Sequence, residues 1–155
     1  MNIYSISDII AKMYEGSDYS VIQHDEGYYL EEDGKRQWSV VLESSLTDEM
    51  NKRIEGNTQF LVDRFISSEG KTISYSFLFP SVVKEGDVCG FTIQVDEERG
   101  TFRHVRQECF TDDGVQSLSP RDHALASSFY ADAEHVLTED PRYRLAHVTG
   151  SFTKI

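Results

Sequence analysis

A chain of 155 residues that is 39% hydrophobic, with nine Phe, eight Tyr and one Trp, is long enough to bury one core and too apolar for disorder. Its formal net charge of −12 repels nucleic acid and anionic membranes, and its apolar runs, such as Phe77-Leu78-Phe79, fall far short of the ~18 residues of a membrane-spanning helix. The acid is concentrated at the front: residues 1–50 hold eleven Asp or Glu against three Lys or Arg, a net of −8, whereas residues 51–100 and 101–155 each carry a net of −2.

The N-terminus has no basic stretch, and Asp8 interrupts the apolar positions that a secretory signal keeps continuous, so a cytoplasmic protein is expected. Ile6, Ile9, Ile10 and Met13 share one helical face, which predicts an amphipathic helix over Ser5 to Glu15, closed by Gly16. From Tyr19 the period changes to two. Tyr19 to Gln23, Tyr28 to Glu31 and Gln37 to Glu43 read as strands, joined by His24-Asp25-Glu26-Gly27 and by Asp33-Gly34, a pair suited to a type I′ hairpin. Thr47 to Glu55 reads as a short surface helix, with Thr47 as cap, Asp48 and Glu49 at its positive end and Lys52 and Arg53 at its negative end.

Two further hairpins are expected. Phe60 to Ile66 turns at Ser68-Glu69-Gly70 into Ile73 to Phe79, and Val88 to Val95 turns at Glu98-Arg99-Gly100 into Phe102 to Phe110. Tyr75, Phe77 and Phe79 alternate with Ser74, Ser76 and Leu78, and Phe91, Ile93 and Val95 alternate with Thr92 and Gln94, so one face is set on a core and the other is wet. Asp112-Asp113-Gly114 marks a turn. Ser119-Pro120-Arg121-Asp122 then starts a helix that runs to about Leu137, with Leu125, Phe129, Ala133 and Val136 as its stripe. Tyr143 to Phe152 is read as a last strand. The fold class is therefore α+β, a single domain over 1–155: an antiparallel meander of about seven to eight strands carrying an N-terminal helix, a short middle helix and a longer C-terminal helix.

No Gly-x-Ser-x-Gly, Gly-x-Gly-x-x-Gly or phosphate loop is present. Cys89 and Cys109 lie in separate predicted strands rather than in a Cys-x-x-Cys pair, and read as buried thiols, with a cross-strand disulfide as the alternative if those strands are neighbours. Asp132 and His135 share a helical face but read as a solvated surface pair, and His123 lies about 120° away around the helix. No catalytic residue, metal site or cofactor is assigned.

The most informative constellation is Asp25, Glu26, Glu31, Glu32 and Asp33 with Tyr28, Tyr29 and Trp38, because carboxylates steer a Lys/Arg-rich partner and aromatic rings offer area and a stacking place for cations. The plainer alternative puts Tyr28, Leu30, Trp38 and Val40 in the core and leaves the acids to keep a hairpin end soluble. The leading functional expectation is an acidic, non-catalytic binding protein that inhibits or neutralises a basic protein. It would be of immunity, anti-restriction or other anti-defence type, acting on a nuclease, toxin or nucleic-acid-handling complex by imitating a phosphate backbone, without itself binding nucleic acid or membrane. The alternatives are a chaperone or adaptor for a secreted protein, and a small-molecule-binding or enzymatic domain. The latter would have a pocket between sheet and C-terminal helix, lined by Tyr75, Phe77, Phe79 and Phe91.

Overall fold

The computed structural model describes residues 18–24, 27–54, 60–67, 73–96, 101–140, 143–146 and 151–154. The helix expected over Ser5 to Glu15 lies outside them. In chain order the elements are β1 (Ser20–His24), β2 (Gly27–Glu32), β3 (Lys35–Leu42), α1 (Ser44–Arg53), β4 (Leu61–Ser67), β5 (Ile73–Pro80), β6 (Val88–Asp96), β7 (Thr101–Thr111), β8 (Gly114–Gln116), α2 (Pro120–Glu139), β9 (Tyr143–Ala146) and β10 (Ser151–Lys154). They form one antiparallel sheet in the order β1-β2-β3-β4-β5-β6-β7-β10-β9, with β8 also on β7. The α+β class and the single antiparallel meander are as expected; two helices are described.

Among the described residues the sheet has ten strand segments, three of which, β8, β9 and β10, are only three or four residues long. After the Asp112-Asp113 turn, Gly114 at φ 105° sends the chain back along β7 as the short strand β8, where Phe110 faces Val115. The single last strand expected over Tyr143 to Phe152 is instead a hairpin, with Phe152 opposite Leu145 and Ser151 opposite Thr101 at the start of β7. Asp33 at φ 54° and Gly34 at φ 75° make the β2–β3 turn, as an Asp-Gly pair in a type I′ hairpin requires.

Alternation along β5 and β6 sends their large rings to one side. There Tyr75, Phe77, Phe79, Phe91, Ile93 and Val95 pack against Leu46 and Met50 of α1 and Ala126, Phe129, Ala133, Val136 and Leu137 of α2. Phe77 stacks on Phe91 at 5.2 Å, and Phe129 meets Phe60 and Phe79 edge-on at 4.9 and 5.1 Å. The pocket expected between sheet and C-terminal helix is therefore filled, with Tyr75, Phe77, Phe79 and Phe91 at 1% exposure or less. Rings of this size on neighbouring strands close the space that smaller side chains would have left.

Helix α1 begins earlier than expected, at Ser44, with Glu43 as an N-cap that makes no side-chain cap bond. Thr47 is inside the helix, and its Oγ1 accepts from the Val62 N–H at 3.0 Å, tying α1 to β4 instead of capping it. Asn51 completes the seam, accepting from the Phe60 N–H at 2.7 Å. Asp48 and Glu49 consequently lie beyond the first turn. Helix α2 starts as expected, with Pro120 in its first turn and Ser119 Oγ accepting from Asp122 N–H at 3.3 Å.

A candidate ligand pocket on the face opposite the helices

The other face of the same strands is built from the polar half of the alternation. Register places Leu42, Asp63, Ser76, Thr92 and Arg106 in one row across β3 to β7, and Val40, Phe65, Ser74 and Gln94 in the next. Two bulges interrupt this regularity. Between the pairs Thr92–Arg106 and Ile93–His104 the register of β7 shifts around Val105, and between Leu30–Trp38 and Glu31–Arg36 that of β3 shifts around Gln37. A bulge bends its strand and re-aims the neighbouring side chains.

The result is a pocket of about 310 Å³. Tyr19, Trp38 and Phe65 form an aromatic wall, Ser74, Ser76, Thr92 and Gln94 form a polar floor, and Val105 and Arg106 form the opposite rim. Both rim residues are adjacent in sequence, which an unbroken alternation would forbid. Ser76 Oγ and Thr92 Oγ1 are 3.4 Å apart and either can donate. Gln94 Oε1 accepts from Arg103 Nε and Nη2 at 3.2 and 2.9 Å, which orients its amide along the floor. The Arg106 guanidinium has a carboxylate neighbour in Glu108, but at 3.7 Å the pair is too long for a hydrogen bond.

Beside Ser76 in the same row, Asp63 is fully buried, and neither of its carboxylate oxygens has a hydrogen-bond partner among the described residues. Burial pushes its pKa up to about 7. Flanking it, Leu78, Val88 and Phe110 make a small apolar cluster backed by Leu61. Gly90 serves this packing: a Cβ there would lie 2.7 Å from Leu78 Cδ2 and 3.3 Å from the Phe77 carbonyl oxygen.

A second polar knot lies at the start of α2. Asp122 is buried and accepts from Ser81 Oγ at 2.6 Å, Val82 N–H at 2.9 Å and Ser119 Oγ at 3.2 Å. Burial opposes its charge, but these donors and the Cys89 thiol outweigh burial and hold its pKa below the ordinary carboxylate value. Cys89 and Cys109 face each other across β6 and β7 as buried free thiols, and burial, then the charges of Cys109 and Asp122, push the Cys89 thiol far up. Such a thiol is a poor nucleophile.

The eight residues singled out from sequence do not come together as one surface among the described residues. Asp25 and Glu26 lie outside them. Tyr28 is buried with Leu30, Val40 and Phe65, whereas Tyr29 carries the Arg36 guanidinium 3.3 Å above its ring. Glu31 faces Arg36 and Glu32 faces Lys35 across the hairpin, while Asp33 is exposed at its tip. Of the six that are described, only Trp38 lines the pocket. Glu43, another acid of the first fifty residues, lies 2.9 Å from Arg64, and Asp132 lies 2.8 Å from Arg53 of α1 rather than pairing with His135. Among the described residues no group of three or more His, Cys, Asp or Glu could hold a metal ion, and no helix is long and apolar enough to cross a membrane.

The sequence analysis missed Ser74, Ser76, Thr92, Gln94 and Arg106 as site residues. Their signal was present as the wet half of the β5 and β6 alternation, but the same pattern describes any solvated sheet face. Comparisons with protein-family models, with curated proteins and with solved structures find no match to this chain.

Proposed function

We propose that this chain is a small-molecule-binding domain whose site is the pocket on the sheet face opposite α1 and α2. One observation carries the reading: an aromatic wall, a hydroxyl-bearing floor and one arginine converge around about 310 Å³. Ligand pockets run from roughly 300 to 1,000 Å³ and combine apolar area with a few placed polar groups. The described lining contains no Asp, Glu, His, Cys or Lys side chain, the residue types that most often act as general bases or nucleophiles. Holding a ligand is thus better supported than transforming one.

Trp38 is the only tryptophan of the chain and lines the site, so its indole N–H resonance and its fluorescence report occupancy directly. A fragment screen read at that resonance should find compounds that shift it while leaving amides of α2 in place. A screen in which every hit moves α2 and none moves Trp38 would sink the proposal.

A second reading keeps the acidic, non-catalytic protein that neutralises a basic partner in an immunity or anti-defence setting. The net charge of −12 favours it. The facing of Glu31 and Glu32 by Arg36 and Lys35 weighs against the β2–β3 hairpin as its recognition surface. Its test is the salt dependence of partner capture: an electrostatic complex loses most of its affinity between about 50 and 500 mM salt, and charge reversal at Glu31, Glu32 and Asp33 slows association. Capture indifferent to both changes removes this reading.

A further inference from the structure

Resting on the small-molecule reading, we infer that the pocket takes a small organic monoanion, a carboxylate on a planar apolar body, with Arg106 anchoring the carboxylate and Trp38 stacking on the body. The first argument is the state of Arg106. Its side chain is 48% exposed and lies on the rim, and no hydrogen bond engages its guanidinium among the described residues. A guanidinium presents a planar fork that matches the two oxygens of a carboxylate, and the Glu108 carboxylate 3.7 Å away does not fill it.

The bulge is the second argument. The register shift after Thr92 sets Val105 and Arg106 together on the rim, across the floor from Tyr19, Trp38 and Phe65. Charge is thereby placed at one side of the pocket and aromatic area at the other, a separation that fits a ligand with one anionic end and one flat apolar end. The floor hydroxyls of Ser74, Ser76 and Thr92 can donate to a carboxylate oxygen that Arg106 leaves free.

Charge count sets the third limit. With a net charge of −12, the chain repels a polyanion at long range, and the described lining offers one cation. A nucleic acid or a nucleoside triphosphate would bring more negative charge than the site can meet. A single carboxylate is within its capacity.

The test is calorimetric titration at pH 7.5 with 2-naphthoate and its neutral isostere 2-naphthamide, against wild type, Arg106→Gln, Arg106→Lys and Glu108→Gln. Naphthoate should bind wild type about tenfold more tightly than the amide, a margin ordinary for a charge-assisted hydrogen-bonded pair. Arg106→Gln should bring the two within about twofold, Arg106→Lys should keep part of the preference, and Glu108→Gln should tighten naphthoate by up to about fivefold by removing a competing, partly buried charge. Unchanged melting of each variant certifies the fold. Equal binding of acid and amide to wild type, or an acid preference that survives in Arg106→Gln, overturns the anion inference while the pocket reading stands. Binding of neither, with a silent Trp38 resonance across the whole fragment screen, overturns both.

Discussion

The two faces of strands β4 to β7 are drawn from alternate residues of the same segments, yet they solve opposite problems. On the helix side, Tyr75, Phe77, Phe79 and Phe91 fill the space against α1 and α2 to the point that none is more than 1% exposed. On the far side, Ser74, Ser76, Thr92 and Gln94 occupy the matching positions one residue along and leave room for a pocket. Size and polarity at adjacent positions separate a face that stores stability from a face that can bind, because an interior packed with large rings has no volume left for a ligand.

The largest expected effect breaks the packed face. Phe77→Ala removes a ring with 0% exposure that stacks on Phe91, and should cost about 3–5 kcal/mol in urea unfolding. Ser76→Ala, one residue away on the opposite face, should stay within about 1 kcal/mol. Comparable losses at the two positions would mean that the far face is core as well.

Asp63 sharpens the contrast from within the polar face. Burial holds its folded pKa at about 7, above the ordinary carboxylate value of 3.8, so this group favours the folded state most below the lower value. That contribution is lost as pH rises through about 7 and is flat above it. Asp63→Asn removes the titration. Its stability relative to wild type should therefore be larger at pH 8 than at pH 5 by roughly 2–3 kcal/mol, read from paired urea melts. A difference independent of pH would show that the carboxylate is solvated or paired.

The Asp122 knot holds the helix side in place. Asp122→Ala leaves Ser81, Ser119 and Val82 N–H without their acceptor and should cost about 2 kcal/mol at pH 7. Because the wild-type pKa is depressed, the advantage of wild type should shrink as the solution is acidified through and below the ordinary carboxylate range. The smallest effect belongs to the α1 seam: Thr47→Val deletes the acceptor for Val62 N–H and should cost about 1 kcal/mol, with earlier hydrogen exchange at that amide.

Much of the architecture was legible because it is written in short-range chemistry. Hydrophobic alternation located the strands to within a few residues, Asp33-Gly34 marked a turn that needs positive φ, and Ser119-Pro120 marked the start of α2. Errors arose where a local signal had a long-range competitor. Thr47 looks like a cap in isolation, but a strand N–H fifteen residues on claims its hydroxyl. Asp132 looks like a partner for His135 until Arg53, 79 residues distant in sequence, reaches it from another helix. The acids at the β2–β3 tip were legible as a cluster, and the two-residue Asp33-Gly34 turn sets Glu32 opposite Lys35 and Glu31 opposite Arg36; the bulge beyond them, which no residue type announces, sets Trp38 opposite Leu30.

By itself, the sequence determined the class of the fold, the order of its hairpins, the core rings of β5 and β6 and the capping of α2, since each follows from propensities and periodicities that act over a few residues. Only the tertiary structure decided that the rings close up against both helices, that β10 returns to lie beside β7, that Asp63 is buried with no hydrogen-bond partner among the described residues, and that Val105 and Arg106 share a rim. Those outcomes depend on which strands become neighbours and in what register, and pairing across the sheet is chosen by the packing of the whole molecule rather than by any window of the chain.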